Sequence, residues 1–495
     1  MSDTILQAAA LVADPYVLWV CFGAAIFGIF VGAMPGLTAT MATALLVPIT
    51  FFMEPVPAIG AIVTATAMAI FAGDIPGAML RIPGTPASAA YTEEAYRLSR
   101  KGLLGQTLGV NLVFSVAGGL VGVAILIVAA PVLAEIALNF SSFEYFWLAG
   151  LGLTCAIFIA QSDALKGFTA LLIGLAIATI GIDPTAGHPR FTFGSVEMLQ
   201  GISFIPAMIG LFALSELLRG VVTIDQVGEM LQQQVGNIFR GIGQVWRRYW
   251  RNFVRGSMIG TGIGALPGAG ADIAAWISFA VSKRFSKEPE KFGTGHIEGI
   301  VDSTSANNAA VGSAWIPALV FGIPGDSITA IVIGVLYMKN MNPGPAVFLQ
   351  NPQLIYAVFI IFILANLMML PIGWAAIKLA RQILRTPRNI LVPLILLFCI
   401  VGSYAMTNSV YGIIIMLVLG VFGWILEENG FPVGPIILGM VLGELFEQSF
   451  MTSMIKADGS LLGFFSRPIA AALGVITLSL WAFMLTRSLW KRERA

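Results

Sequence analysis

Four Pro-Gly pairs in this 495-residue chain, Pro35-Gly36, Pro83-Gly84, Pro267-Gly268 and Pro324-Gly325, carry polar neighbours inside otherwise apolar sequence. Proline withholds a backbone donor and glycine tolerates positive φ, so each pair can break a helix and free amide and carbonyl groups. In the first half the neighbours are Thr38, Thr40, Asp74, Arg81, Thr85 and Ser88. In the second they are Asp272, Asp302, Ser303, Thr304, Ser305, Asn307, Asn308, Asp326, Ser327 and Thr329. Broken helices in membrane carriers offer N-terminal amides to anions and freed carbonyls to Na⁺ or H⁺-linked groups. On that chemistry, the carboxylates of a solute are expected at Pro35, Gly36, Thr38, Thr40, Arg81, Pro83, Gly84, Thr85, Ser88, Pro267, Gly268, Ser305, Asn307, Asn308, Pro324, Gly325 and Ser327. A coupling cation is expected at Asp74, Asp302, Ser303, Asn307 and Asp326. Plainer roles stay open: caps by Ser, Thr and Asn, a structural Asp74 and Arg81 pair, and a cap by Asp272 on a returning half-helix. Glu216, Glu444 and Glu447 fall at segment ends, where an interfacial position is expected.

The setting of these residues is a membrane. Hydrophobic residues make up 57% of the chain and charged residues 11%, against about 25% charged in ordinary soluble domains. Mean hydropathy is +0.88. So few charges cannot cover a water-soluble surface, and a net charge of +1 excludes a nucleic-acid partner. A charge near the bilayer centre costs roughly 2.5–3.5 kcal/mol. Residues 302–308, without one large hydrophobe, are therefore expected to be functional. Cys21, Cys155 and Cys399 lie in apolar segments and read as small packing residues, and His188 and His296 have no metal-ligand spacing. No cofactor is expected beyond Na⁺ or H⁺ as coupling ion. The absence of a Gly-Lys-Thr/Ser phosphate loop argues against direct use of ATP.

Apolar segments near 20 residues long cross a hydrocarbon core about 30 Å thick. Here they fall at about 16–33, 39–53, 57–80, 103–130, 143–161, 166–182 and 201–218, and again at about 256–266, 268–282, 298–321, 326–338, 353–377, 391–406, 411–426, 433–450 and 467–487. The two sets superimpose. Met34-Pro35-Gly36 answers Leu266-Pro267-Gly268, displaced by 232 positions, and Ile82-Pro83-Gly84 answers Ile323-Pro324-Gly325, displaced by 241. The expected fold is all-α and polytopic, with two inverted repeats, re-entrant hairpins at 16–53 and 256–282, broken helices, and about 11–12 net crossings.

Inversion follows from the bases, which accumulate in cytoplasmic loops. Arg97, Arg100 and Lys101 mark one loop as inside, while its counterpart at 340–352 has no base. Lys378, Arg381, Arg385 and Arg388 mark another as inside, while 130–144 has none. Lys283, Arg284, Lys287 and Lys291 are inside, and Arg487, Lys491, Arg492 and Arg494 place the C-terminus in the cytoplasm. The N-terminal stretch lacks a basic n-region and a cleavage site and reads as retained. The division expected is a first repeat at 1–218, a basic and aromatic interfacial linker at 219–255, a second repeat at 256–450, and an extra helix with a basic tail at 451–495.

The chain resembles the large membrane subunit of the tripartite tricarboxylate transporters over nearly its whole length. The motifs that carry the resemblance are Met34-Pro35-Gly36-Leu37-Thr38-Ala39-Thr40, Ile82-Pro83-Gly84-Thr85-Pro86-Ala87-Ser88-Ala89-Ala90, Arg100-Lys101-Gly102, Gly181-Ile182-Asp183, Arg190-Phe191-Thr192-Phe193-Gly194, Ala265-Leu266-Pro267-Gly268-Ala269-Gly270 and Ser305-Ala306-Asn307-Asn308-Ala309. The resemblance implies a non-enzymatic, multi-pass protein of the bacterial inner membrane. It also implies uptake of an organic acid anion delivered by a periplasmic solute-binding protein, with a small four-helix membrane subunit as companion and an ion gradient as energy source. Where that family has Asp or Asn after the first hairpin's glycine, this chain has Leu37 and Thr38, which leaves the solute and the ion open. Two other readings stand beside it. One is a stand-alone cation-coupled symporter or antiporter on the same scaffold. The other is an intramembrane aspartyl protease using Asp74 and Asp302, although Phe71-Ala72-Gly73-Asp74 lacks the first glycine of a Gly-x-Gly-Asp motif.

Overall fold

A computed structural model describes residues 2–159, 164–183, 186–222, 235–385 and 388–492. Among them the strand content is one two-residue ladder pairing Gly181 with Arg190 and Ile182 with Pro189. Among the described residues, five helices are long and apolar enough to cross a membrane: Pro15–Ala33, Pro55–Leu80, Thr92–Ala137, Pro352–Ile383 and Val410–Glu428. Six shorter apolar helices accompany them. The chain is an all-α, multi-pass membrane protein, as its composition requires.

The Pro-Gly breaks shape the elements that matter for function. Pro15–Ala33 and Ala39–Phe51 form a first helical hairpin around Pro35-Gly36, with Gly36 at φ 87°. Ile242–Gly264 and Gly270–Phe285 form a second around Pro267-Gly268, with Gly268 at φ 78°. Each hairpin rests on a broken helix. The first is Pro55–Ala72 followed by Asp74–Leu80, and the second is Ile297–Ser313 followed by Trp315–Phe321. A β-carbon added at Gly28 or Gly32 would strike the carbonyl oxygens of Ala65 and Ala69, and one added at Gly260 or Gly264 would strike those of Ala306 and Ala310. The hairpin glycines correspond at the displacement of 232 read from the sequence, and the alanines at 241. Backbones this close are the small-residue packing that replaces the hydrophobic effect between membrane helices.

Two long helices, Leu104–Ala137 and Pro352–Ile383, complete this first packed group. A second group comprises two sets: Ser142–Ile159, Ala164–Ala178, Gly434–Lys456 and Pro468–Arg492 pack on one another, and residues 204–222, Arg388–Thr407 and Val410–Glu428 pack on one another and on Ala39–Phe51. The halves of the chain also lock together within the first group. Glu94, 1% exposed, accepts backbone N–H bonds from Gly295 and His296, both at 2.7 Å, and from Gly293. Lys101 Nζ donates to the Thr294 carbonyl at 2.7 Å, and Lys339 Nζ to the Phe51 carbonyl at 2.8 Å, closing the last turn of the first hairpin.

The expected boundaries at 218/219, 255/256 and 450/451 each fall inside a helix: Ser215–Val222, Ile242–Gly264 and Gly434–Lys456. The Trp246 to Phe253 portion of the basic and aromatic stretch lies in the first arm of the second hairpin, Ile242–Gly264, which kinks at Tyr249 (φ −116°). Residues 223–234, also assigned to the linker, lie outside the described residues.

Candidate functional site

A cavity of about 580 Å³ opens where the two hairpin tips meet the second helix group. Its wall includes Gly36, Thr38 and Thr40 from the first tip, Gly268, Gly270 and Asp272 from the second, and Pro83, Gly84 and Thr85 from the loop after the first broken helix. Asn307, Asp326 and Ser327 also line it, as do Leu211, Phe212, Glu216, Arg219 and Glu427 from the second group. Four helices start at this wall: Ala39–Phe51, Gly270–Phe285, Ser327–Met338 and Gly434–Lys456. Each directs the positive end of its dipole at the cavity; Thr38 caps Met41 N–H at 3.2 Å and Asp326 caps Thr329 N–H, while the other two helices have no side-chain cap.

The same local device holds both inner loops. Thr85 and Ser88 bond reciprocally, Thr85 N–H to Ser88 Oγ and Ser88 N–H to Thr85 Oγ1, each at 3.1 Å. Asp326 and Thr329, displaced by 241 from them, do likewise: Asp326 N–H donates to Thr329 Oγ1 and Thr329 N–H to Asp326 Oδ1, each at 2.8 Å. The second pair is a capping box. Only glycine admits the contact behind the first loop, where Gly84 N–H donates to the Gly73 carbonyl at 3.1 Å and a β-carbon on Gly84 would sit 2.6 Å from the Gly73 Cα. Thr40 and Asp272 also correspond, at 232. The first cradle is thus built from hydroxyls, and the second carries Asp272 and Asp326 at the equivalent places.

Several expected residues lie elsewhere. Arg81 takes φ 62° as it ends Asp74–Leu80, turns outward, and donates from Nε to Glu93 Oε2 at 2.7 Å. The expected Asp74 and Arg81 pair is therefore not formed. Asp302, 0% exposed, is enclosed by Arg255 (Nε to Oδ1 3.0 Å, Nη2 to Oδ2 2.7 Å), Asn252 (2.8 Å) and Ser282 (2.7 Å). It clamps the second hairpin to its broken helix and does not line the cavity. The pair of carboxylates that an aspartyl protease shares is also unformed, since Asp74 accepts from Tyr91 Oη at 2.6 Å while Asp302 is held by Arg255. Ser305 donates to its own helix at Val301, and Asn308 Nδ2 to Ser115 Oγ at 2.9 Å. Pro35 and Pro267 stand beside tip residues of the wall, Pro324 and Gly325 lead into Asp326, and Ser88 supports Thr85. Ser303 is fully buried without a bond to its hydroxyl.

Sequence reasoning passed over the cluster on the far wall. Arg219 approaches Glu427 Oε2 at 3.0 Å, Glu216 Oε2 at 3.5 Å and Glu428 Oε1 at 3.7 Å. Among the described residues no group of three or more His, Cys, Asp or Glu side chains is placed to hold a metal ion.

No solved structure matches the chain. One relative from Agrobacterium vitis, described as an uncharacterized 52.8 kDa protein in the TAR-I ttuC' 3'region, is 33% identical over 463 residues, covering 94% of this chain and 92% of its own. Another from the same organism, an uncharacterized protein in the TAR-II ttuC' 3'region, is 35% identical over 208 residues, covering 42% of this chain and 86% of its own. The profile of the family described as "TctA: Tripartite tricarboxylate transporter TctA family" matches residues 18–438, a span that holds both hairpin tips, both broken helices and the whole cavity wall. The breaks, the duplicated cradles and this match agree, and the chain belongs to the tripartite tricarboxylate transporter TctA family.

Proposed function

We propose that this protein is the large membrane subunit of a binding-protein-dependent tripartite system that imports organic di- or tricarboxylate anions across the bacterial inner membrane. Its companions are a periplasmic solute-binding protein and a small four-helix membrane subunit. The observation that carries the reading is the convergence of four helix N-termini on one cavity between the two groups of helices. Helix N-termini of broken membrane helices are anion sites, and a hydroxyl cradle at Thr38, Thr40 and Thr85 adds donors that suit a carboxylate.

The second cradle and the far wall supply the argument for ion coupling. Asp272, Asp326, Glu216 and Glu427 line the cavity with one base, Arg219. A polyanion in a wall with an excess of acids requires accompanying cations, and each positive charge moved through 100 mV contributes about 2.3 kcal/mol toward accumulation. An elevator-like displacement is the mechanism we infer. The two hairpins with their broken helices shift as one body against the second group, carrying the cavity from one membrane face to the other in two inverted repeats, with the C-terminus in the cytoplasm.

Purified protein with its membrane partner in proteoliposomes, binding protein outside and Na⁺ or H⁺ gradients imposed, tests this. Uptake of a di- or tricarboxylate that needs a gradient is expected. Thr85→Ala and Asn307→Ala should each weaken solute use by about ten- to a hundredfold, the loss of one charge-assisted hydrogen bond. Undiminished uptake in both variants sinks the assignment of the cavity. Gradient-driven uptake without the binding protein would instead make the chain a stand-alone carrier.

A further inference from the structure

Behind the cavity wall lies a second polar cluster that shares only Asn307 with the anion site. Asp74 opens the second segment of the first broken helix and is 2% exposed. Its Oδ1 accepts from Tyr91 Oη at 2.6 Å, and its Oδ2 has no hydrogen bond. The Tyr91 hydroxyl sits beside Thr304 and Asn307 of the second broken helix. Its single proton is directed at Asp74, and neither the Thr304 hydroxyl nor the Asn307 amide makes a well-formed bond within the protein. Thr304 is 0% exposed, Asn307 1% and Tyr91 1%. Buried polar groups are nearly always paired, and a buried carboxylate without a counter-charge is costly. The unbonded oxygens here are Asp74 Oδ2, Thr304 Oγ1 and Asn307 Oδ1, beside the bonded Tyr91 hydroxyl. One proton on Asp74 would serve one of the three, whereas a metal cation would serve all of them and take the Tyr91 oxygen as a further ligand.

We propose that Asp74, Tyr91, Thr304 and Asn307 form a site for one monovalent metal cation of Na⁺ size, straddling the two halves and touching the anion cavity through Asn307. The duplication supports this division of labour. The cradles are built twice, but at the displacement of 241 the partner of Asp74 is Trp315, so this site is built once. Asp302 is excluded because Arg255 already neutralises it, and the acids of the wall face open cavity while Asp326 is spent on its cap. Asn307 then links the two ligands: a cation that fixes its amide oxygen orients its amide nitrogen toward the solute. This inference rests on the transport reading for its purpose but not for its test.

The test is equilibrium binding on the purified full-length protein in detergent, with no gradient. Melting temperature is followed against NaCl, with choline chloride holding ionic strength constant, at several pH values. Wild type should show saturable stabilisation by Na⁺. Asp74→Asn, which is isosteric, should abolish it, and Tyr91→Phe and Thr304→Val should each raise the half-saturating Na⁺ concentration by about tenfold, the loss of roughly one ligand. Gel filtration checks folding, and if Asp74→Asn fails to fold, the two milder variants decide. A wild type indifferent to Na⁺, or variants with unchanged half-saturation, overturns the site. Stabilisation that follows pH alone makes Asp74 a proton carrier and equally overturns it. Na⁺ binding that persists while reconstituted uptake is absent would sink the transport reading and leave the cation site standing.

Discussion

At the scale of single residues, the buried carboxylate of Asp302 is answered across two elements by Arg255, whose Nη2 donates to Oδ2 at 2.7 Å. Asp302 is costly in a membrane, but its partner Arg255, 47 positions earlier, reads in isolation as a topology marker. Nothing in the spacing shows that the second hairpin folds back and delivers that guanidinium. Arg81 misleads in the opposite way. Seven positions after Asp74 it would share a helical face, yet its left-handed backbone at φ 62° ends the helix and sends the side chain to Glu93. The clamp predicts a specific stability pattern. Arg255→Ala leaves Asp302 buried and unpaired and should cost ~3–5 kcal/mol, whereas Arg255→Met with Asp302→Leu should recover part of that loss. Thermal unfolding in detergent measures both, and a double variant no more stable than the single one would contradict the clamp.

Elements were legible where local rules suffice. Proline beside glycine marks both hairpin tips, and apolar runs mark many helices to within a few residues, because neither depends on distant contacts; the run at 256–266 misses the basic and aromatic start of its helix, which begins at Ile242. The far wall of the cavity was not legible. Leu211, Phe212, Glu216, Arg219 and Glu427 lie on ordinary apolar or charged helix faces, and only tertiary packing brings them to the hairpin tips. Glycine packing gives this scale its prediction. Within one helix, a β-carbon at Gly260 would collide with the Ala306 carbonyl, while one at Gly262 meets nothing within 4 Å. Gly260→Ala should therefore lower stability by about 1–3 kcal/mol. Gly262→Ala should be neutral or stabilising by up to about 1 kcal/mol through helix propensity. Equal melting temperatures for the two variants would show that the hairpin is not held by this contact.

For the whole molecule, the placement of bases implies opposite orientations for the two halves, and single cysteines read this out directly. On a background without Cys21, Cys155 and Cys399, a cysteine at Lys291 should react with a membrane-impermeant maleimide only from the cytoplasm, and one at Pro345 only from outside. Labelling of both from one face would refute the inverted arrangement. The ties between halves have a further consequence, for the order in which the protein is made. Glu94 finds its N–H donors in Gly293, Gly295 and His296, about 200 residues later in the chain. At roughly 5–20 residues per second, a ribosome needs about 10–40 s to supply them. Throughout that interval Glu94 lacks the three backbone donors it has in the finished fold and depends on water. Its final packing is therefore a late event, completed from the second half, and a message cut short before codon 293 yields a membrane segment whose Glu94 lacks those donors.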